Sequence, residues 1–304
     1  MGRRRPAQPP RRATRLAWTV TPSPGFPNEH TPIGSTRYYV ARFAPAEERD
    51  AQALLLALHA SLMALPRECT DPGVARTKLA WWREQLLEAG DRASHPLARS
   101  LAGLSRDQQP ERAYLERLLD NLRDEIDNRP VTSGADLDNH CRGSGGTLCA
   151  MLTALGGGDA GQLACAEAIG QFTRRVEIVR DLGHDIRRRR CYLPREHLKE
   201  HRIDLERIFD HQTQQRLTVL LTEFAAEARQ RLDHALGQLP RTAHHPLGSA
   251  FALAMVKDAL LSEIAADGFR VLNQRTGLPP LRKLWISWRS HRRSRRARGL
   301  SPRR

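Results

Sequence analysis

The residues best placed to do chemistry lie between Phe172 and Pro194, in the stretch FTRRVEIVRDLGHDIRRRRCYLP. Glu177, Asp181 and Asp185 recur at intervals of four. On a helix that spacing puts three carboxylates on one face, each one turn above the last. Arg187, Arg188, Arg189 and Arg190 follow at once, then Cys-Tyr-Leu-Pro, where Pro194 forbids further helix. A carboxylate ladder beside guanidinium groups suits a magnesium-bridged diphosphate. Hard oxygen ligands hold the ion, and planar forks hold the phosphate oxygens. The same spacing also describes a solvated helix face with i,i+4 acid and base pairs, and spacing alone favours that plainer reading.

A ladder of this kind needs a long helix to carry it and other helices to enclose it. Residues 161–180 have a helical pattern and run directly into the acidic stretch. Upstream, Ser35 or Thr36 can cap a first helix. Residues 46–65 form a strong amphipathic helix ending before Pro66. Residues 74–88 follow, with Leu79, Trp82 and Leu86 at core spacing, and His95-Pro96 opens a short helix. Residues 110–128 place Leu115, Leu118, Leu119, Leu122 and Ile126 on one side. Residues 136–155 contain the run GSGG at 143–146. Residues 205–236 read as one long helix and 246–266 as another, and Trp285 and Trp288 sit on a short terminal one. Ala150, Ala154, Gly146 and Gly170 could leave room for a long apolar cavity, though close helix packing is the plainer reading for each. His59, on an apolar helix face, reads as a core histidine rather than a ligand.

The 304 residues are 40% hydrophobic, enough for a substantial core, and Ala and Leu dominate while β-branched runs are scarce. No strand pair or internal repeat stands out. The expected architecture is all-α, a single helical domain over about 31–290. An Arg/Pro-rich leader, 1–30, is expected to be disordered, and 291–304 to be a basic tail. The formal charge is +15, with much of the excess at the two ends. Such ends attract anionic headgroups or nucleic acid without specificity; the nucleic-acid reading rests on them alone and is disfavoured. Five scattered cysteines form no CxxC pair, which fits reduced thiols and a cytoplasmic location, with contact at the inner membrane face through the basic ends. No bilayer-spanning run and no signal peptide are read. There is no Walker loop, GxGxxG, HExxH or GxSxG.

Several stretches together resemble the squalene/phytoene synthase family. Ser35-xx-Tyr38-Tyr39 is similar to its opening S-x-x-YY. DPGVARTKLAWWREQL at 71–86 resembles the segment after the first aspartate cluster in bacterial members, and His95-Pro96-Leu97-Ala98-Arg99 their HP-x-x-R. HCRGSGGTL at 140–148 is similar to YC-x-x-x-AG-x-V. The acidic stretch matches RD-x-x-x-D…R-x-YLP through Arg180, Asp181, Gly183, Asp185, Arg190, Tyr192, Leu193 and Pro194.

The resemblance implies an isoprenoid-synthase-type bundle around a central cavity, condensing two isoprenyl diphosphates head to head. Two aspartate clusters on facing helices would bind Mg2+ and draw off the diphosphate. On that footing Asp181, Asp185 and Glu177 would be metal ligands, with Asp181, Asp185 and Tyr38 catalytic. Arg180, Arg187, Arg190 and Tyr192 would hold the diphosphate. The sequence departs at the first cluster, whose expected positions are Met63, Ala64 and Arg67, none acidic. The family's usual Asp in the helix over 114–127 aligns with Glu125. The ending PLRKLWISWR is similar to that of a non-catalytic branch containing a respiratory complex I assembly factor. Two expectations follow: a prenyl-diphosphate-binding transferase of doubtful synthase activity, or a pseudoenzyme that serves as an assembly factor at a membrane surface.

Overall fold

A computed structural model describes residues 25–299. Among these residues every regular element is helical. The chain runs through α1 (Thr36–Phe43), α2 (Arg49–Glu68), α3 (Pro72–Leu87), α4 (Pro96–Ala102), α5 (Arg112–Ile126) and α6 (Gly134–Cys141). A π-helical segment, Arg142–Gly146, leads into α7 (Thr147–Leu155). Then come α8 (Ala160–Arg187), α9 (Arg195–Glu200), α10 (His211–Gly237), α11 (Gly248–Ala266) and α12 (Pro280–Gly299).

Local chemistry sets the helix starts. Ser35 Oγ accepts from Tyr38 N and starts α1, while Asp71 caps α3 with Pro72 at its first position. Ser133 with Asp136, and Asp159 with Gln162, form capping boxes for α6 and α8. The core is leucine-rich: Leu55, Leu58 and Leu62 of α2 meet Leu118, Leu119 and Leu122 of α5, closed by α7 and by Phe172, Val176 and Val179 of α8. Helix α8 packs against the π segment, α7, α10 and α11.

The small residues bring backbones together. A Cβ on Gly170 would strike the carbonyl of Gly145 and the Cα of Gly146, so α8 and the π segment touch main chain to main chain. Gly146 and Gly170 therefore act in close packing. Gly183 plays the same part for the 271–272 segment: its Cβ would stand 2.6 Å from Val271 O. That approach carries the following loop, with Arg275, toward α8.

Several boundaries differ from expectation. Helix α2 does not stop before Pro66 but includes it; the proline forfeits one backbone bond near the helix end, and its buried ring offsets part of the loss. The expected helix over 205–236 is interrupted, because Asp210 is extended and α10 begins at His211. The boundary expected at 290 falls inside α12, whose His291 and Ser294 are buried. Residues 25–30, assigned to a disordered leader, are packed: Phe26 stacks on Tyr38 and its N–H donates to Asp50. The rest of the leader, 1–24, and residues 300–304 lie outside the described residues. No described helix is long and apolar enough to cross a membrane.

Candidate functional site

The acid ladder of α8 faces inward. Asp181 and Asp185 are each 4% exposed, and Glu177 is half-buried. A buried carboxylate must find a cation or protonate, and each of the three answers differently. Asp181 is gripped by Arg180 through Nε at 2.8 Å and Nη2 at 2.5 Å, and by Arg275 Nε at 2.6 Å. Burial pushes its pKa up, but the two arginines outweigh that and hold it well below the usual carboxylate range. Glu177 accepts from Lys257 Nζ at 2.6 Å and lies 3.7 Å from Arg174. Burial again works upward, and Lys257, Arg180 and Arg174 bring the net shift far down. Asp185 is the exception. Burial raises its pKa, Arg67 and Arg174 oppose this incompletely, and its nearest ion partner is His184 at 3.6 Å.

Across from the ladder, α2 supplies buried Met63, half-buried Ala64 and half-buried Arg67. No carboxylate stands at those positions, and the charge of Arg67 acts on Asp185, Glu125 and His140. Among the described residues, no group of three or more His, Cys, Asp or Glu side chains stands together as a metal-ligand set. The donor set does not fit a multi-magnesium cage: two of the three ladder acids are already engaged by cations of the same chain.

A second buried centre forms around Glu125 of α5. Arg174 Nη2 donates to its Oε1 at 3.2 Å, Tyr192 Oη to its Oε2 at 3.3 Å, and His140 lies 3.6 Å away. Burial raises the Glu125 pKa, and Arg174 above all reverses the sign, so the group stays ionised. His140 is pushed down to about 4, by burial first and by Arg174 second, and is neutral at pH 7. Arg190 Nη1 donates to the Glu125 carbonyl at 3.0 Å. A cavity of about 480 Å³ opens beside this centre, lined in part by Glu125, His140, Arg190 and Tyr192.

A smaller cavity of about 160 Å³ lies on the Asp181 side. Thr36, Arg180, Lys257, Arg275 and Lys283 line it, together with Val256, Leu260 and residues 276–278. Four cationic side chains thus border one small space, three of them paired with Asp181 or Glu177. Arg37 of α1 is close enough to Glu177 and Arg180 to feel both charges. Burial lowers its pKa and Glu177 partly restores it, with Arg180 opposing.

The structure thus brings Glu177, Arg180, Asp181 and Asp185 onto one inner face. The other expected residues lie off that face, and the Glu125 centre is joined to it by Arg174, which pairs with both Glu125 and Glu177. Arg190 and Tyr192 serve Glu125, and Arg187 is exposed, donating to Leu272 O at 2.8 Å. Tyr38 stacks on Phe26 and meets Tyr39 edge-on, 5.2 Å between ring centroids. Residues that sequence reasoning passed over, Arg37, Arg174, Lys257 and Arg275, supply the charge of the site. Lys257 carried a signal: it is the one lysine of α11 and follows the apolar run 250–256.

The sequence profile of the squalene/phytoene synthase family matches residues 31–282. The chain belongs to that family. Among curated squalene/phytoene synthase relatives, a phytoene synthase of Thermus thermophilus is 29% identical, over 49% of this chain and about half, 52%, of its own length. A phytoene synthase of Mycobacterium bovis is 26% identical over 82% of this chain and 84% of its own. NADH dehydrogenase (ubiquinone) complex I, assembly factor 6, of Mus musculus is 21% identical over 91% of this chain and 87% of its own. A solved dehydrosqualene synthase in complex with ligand superposes with a TM-score of 0.72, at 18% identity, over 84% of this chain and 90% of that one. The squalene/phytoene synthase fold is thereby established for this chain.

Proposed function

We propose that this chain binds an isoprenyl diphosphate or related lipid phosphate by cations alone, without the magnesium-assisted head-to-head condensation. The observation that carries the reading is the cavity cornered by Arg180, Lys257, Arg275 and Lys283, beside an Asp181 whose oxygens those arginines occupy. In a metal-using site, carboxylates hold ions that hold phosphate. Here Asp181 and Glu177 hold guanidinium and ammonium groups directly, which fixes those donors for phosphate oxygens. The opposing wall at Met63, Ala64 and Arg67 offers no second carboxylate cluster to bind a metal with a second diphosphate. On this reading the oxygens of Asp181 serve Arg180 and Arg275 rather than Mg2+, and Tyr38, stacked on Phe26, is given no catalytic part.

The test is equilibrium binding of farnesyl diphosphate and of inorganic pyrophosphate to the full chain, in EDTA and in magnesium. Binding should be unchanged by EDTA. Lys283→Ala should weaken it by about tenfold, the loss of one charge-assisted contact. Binding that needs magnesium, with pyrophosphate released by the wild type and not by Asp181→Asn, would show a metal-using transferase instead.

A second reading is favoured by the match to the complex I assembly factor across most of both chains. In it the chain is a non-catalytic factor held peripherally at a membrane surface. Failure of every phosphate ligand to bind, together with recovery of a stoichiometric partner complex, would select that reading over the first.

A further inference from the structure

Helix α12 is amphipathic in the wrong sense for a helix that packs on a core. Its inward stripe is Ser287, Ser290, His291 and Ser294, all buried. Its outward stripe is Leu281, Leu284, Trp285 and Trp288, with exposures of 77%, 38%, 52% and 41%. These four stand at i, i+3, i+4 and i+7, so they form one continuous face. The inward histidine is tied to the fold by Nε2 and the Val40 carbonyl, 3.1 Å apart, and Arg295 donates to Phe43 O. The helix is therefore anchored by these polar groups and by Ile286 against the core, and it turns its four other large apolar side chains to water. Ile33, 78% exposed, extends the face at its start: Lys283 Nζ donates to the carbonyl of the adjacent Gly34 at 3.3 Å, and Gly34 lies against Pro280.

The charge of α12 names the occupant. No acidic residue occurs from 280 to 299, whereas Arg282, Lys283, Arg289, Arg292, Arg293 and Arg295 border or follow the apolar stripe; of these Arg282 pairs with Glu263 and Arg295 with the Phe43 carbonyl, and Arg289, Arg292 and Arg293 are the exposed ones beside the tryptophans. Arg289 lies over the Trp285 ring at 5.1 Å and Arg292 over the Trp288 ring at 5.2 Å. Tryptophan and leucine flanked by arginine, on a helix that no apolar run lets cross a bilayer, is the pattern of a helix lying in the headgroup plane of anionic lipid. We propose that the outward face of α12, with Ile33, docks this protein onto an anionic bilayer surface. Leu281, Leu284, Trp285 and Trp288 enter the interface, and the arginines contact lipid phosphates. This inference rests on the peripheral placement in the second reading above, and the variants that test it leave Lys283, which also lines the phosphate cavity, unchanged.

The full chain is sedimented with phosphatidylcholine vesicles that contain or lack phosphatidylglycerol. The wild type should sediment with the anionic vesicles only. The triple variant Leu284→Ser, Trp285→Ser, Trp288→Ser should lose about fivefold or more of its bound fraction, and Arg289→Gln with Arg292→Gln and Arg293→Gln a similar amount. All six positions are exposed, so circular dichroism should show the helical content unchanged. Changing the six arginines at 3, 4, 5, 11, 12 and 15 to glutamine should cost much less. If that leader variant loses binding while the serine variant keeps it, the α12 face is refuted and peripheral placement survives. If the wild type binds no vesicle, both fall. A wild-type dimer that becomes monomeric in the serine variant would reassign the face to self-association.

Discussion

An ion pair sealed inside a protein costs most when only one partner is removed, since the survivor keeps its charge and loses its solvent. The three pairs at the candidate site differ in how well water can replace the missing partner, so their substitutions should fall in order. Arg174→Met strands Glu125, which is 4% exposed, and should cost about 3–5 kcal/mol. Lys257→Met leaves Glu177, whose side chain is 31% exposed and keeps Arg174 nearby, and should cost about 2 kcal/mol. Arg275→Ala removes a 63% exposed side chain from an Asp181 still held by Arg180, and should cost about 1 kcal/mol or less. Urea unfolding checks the series; an Arg275 variant worse than the Arg174 variant would show that Arg180 does not suffice for Asp181. The acids of this set were legible in the sequence because helical spacing is local. Their neutralisers were not: Lys257 lies 80 positions from Glu177 and Arg275 lies 94 from Asp181. Charge pairing over such separations leaves no periodic trace.

Helix contacts without side chains are the feature of the next scale up. At Gly183, α8 admits the 271–272 backbone so closely that any Cβ must displace main chain. Gly183→Ala gains about 1 kcal/mol of helix propensity. Overpacking against a backbone costs about 1–3 kcal/mol and more when nothing nearby can give way. The net change should be destabilising, and Arg275 should lose its place on Asp181. The expected readings are a lower unfolding midpoint and weaker pyrophosphate binding in the same variant. A Gly183→Ala protein more stable than the wild type would mean that the loop swings away freely. A capping residue made the first helix start readable at Ser35, whereas the caps at Asp71 and Asp159 show only in the fold. The interruption at 208–210 was not readable, because no Gly or Pro marks it and only the extended backbone at Asp210 sets it. The π segment was half visible, as glycines in a helical pattern, but the partner that needs them, Gly170, is assigned only by the fold.

For the molecule as a whole, three histidines set the response to acid. His59, His140 and His291 are each pushed down to about 4, chiefly by burial. A base whose folded pKa lies below its unfolded value of 6.5 resists protonation in the fold. Its contribution is complete above pH 6.5 and is lost as pH falls from there toward 4. Each should remove up to about 3 kcal/mol over that window. Glu177 and Asp181, held low, should add a further loss below about pH 4. Asp185, held high, works the other way: it favours the fold at low pH and gives that up as pH rises through its pKa. Thermal melts from pH 8 to pH 4 should show the decline beginning near pH 6.5, and His140→Gln should make it shallower. A melting temperature flat between pH 7 and pH 5 would mean that these rings reach water. The all-α architecture was plain from composition and period, and the family from several ordered motifs. The inverted face of α12 was not, since a sequence shows that a helix is two-sided without showing which side faces out.

Cys141 and Cys149 are pushed up to about 12 and Cys165 to about 11 by burial, with Cys69 and Cys191 only partly covered. Since the thiolate is the reactive species, alkylating reagents have two sites on the closed molecule and three more that each report the opening of a different helix: α6, α7 or α8.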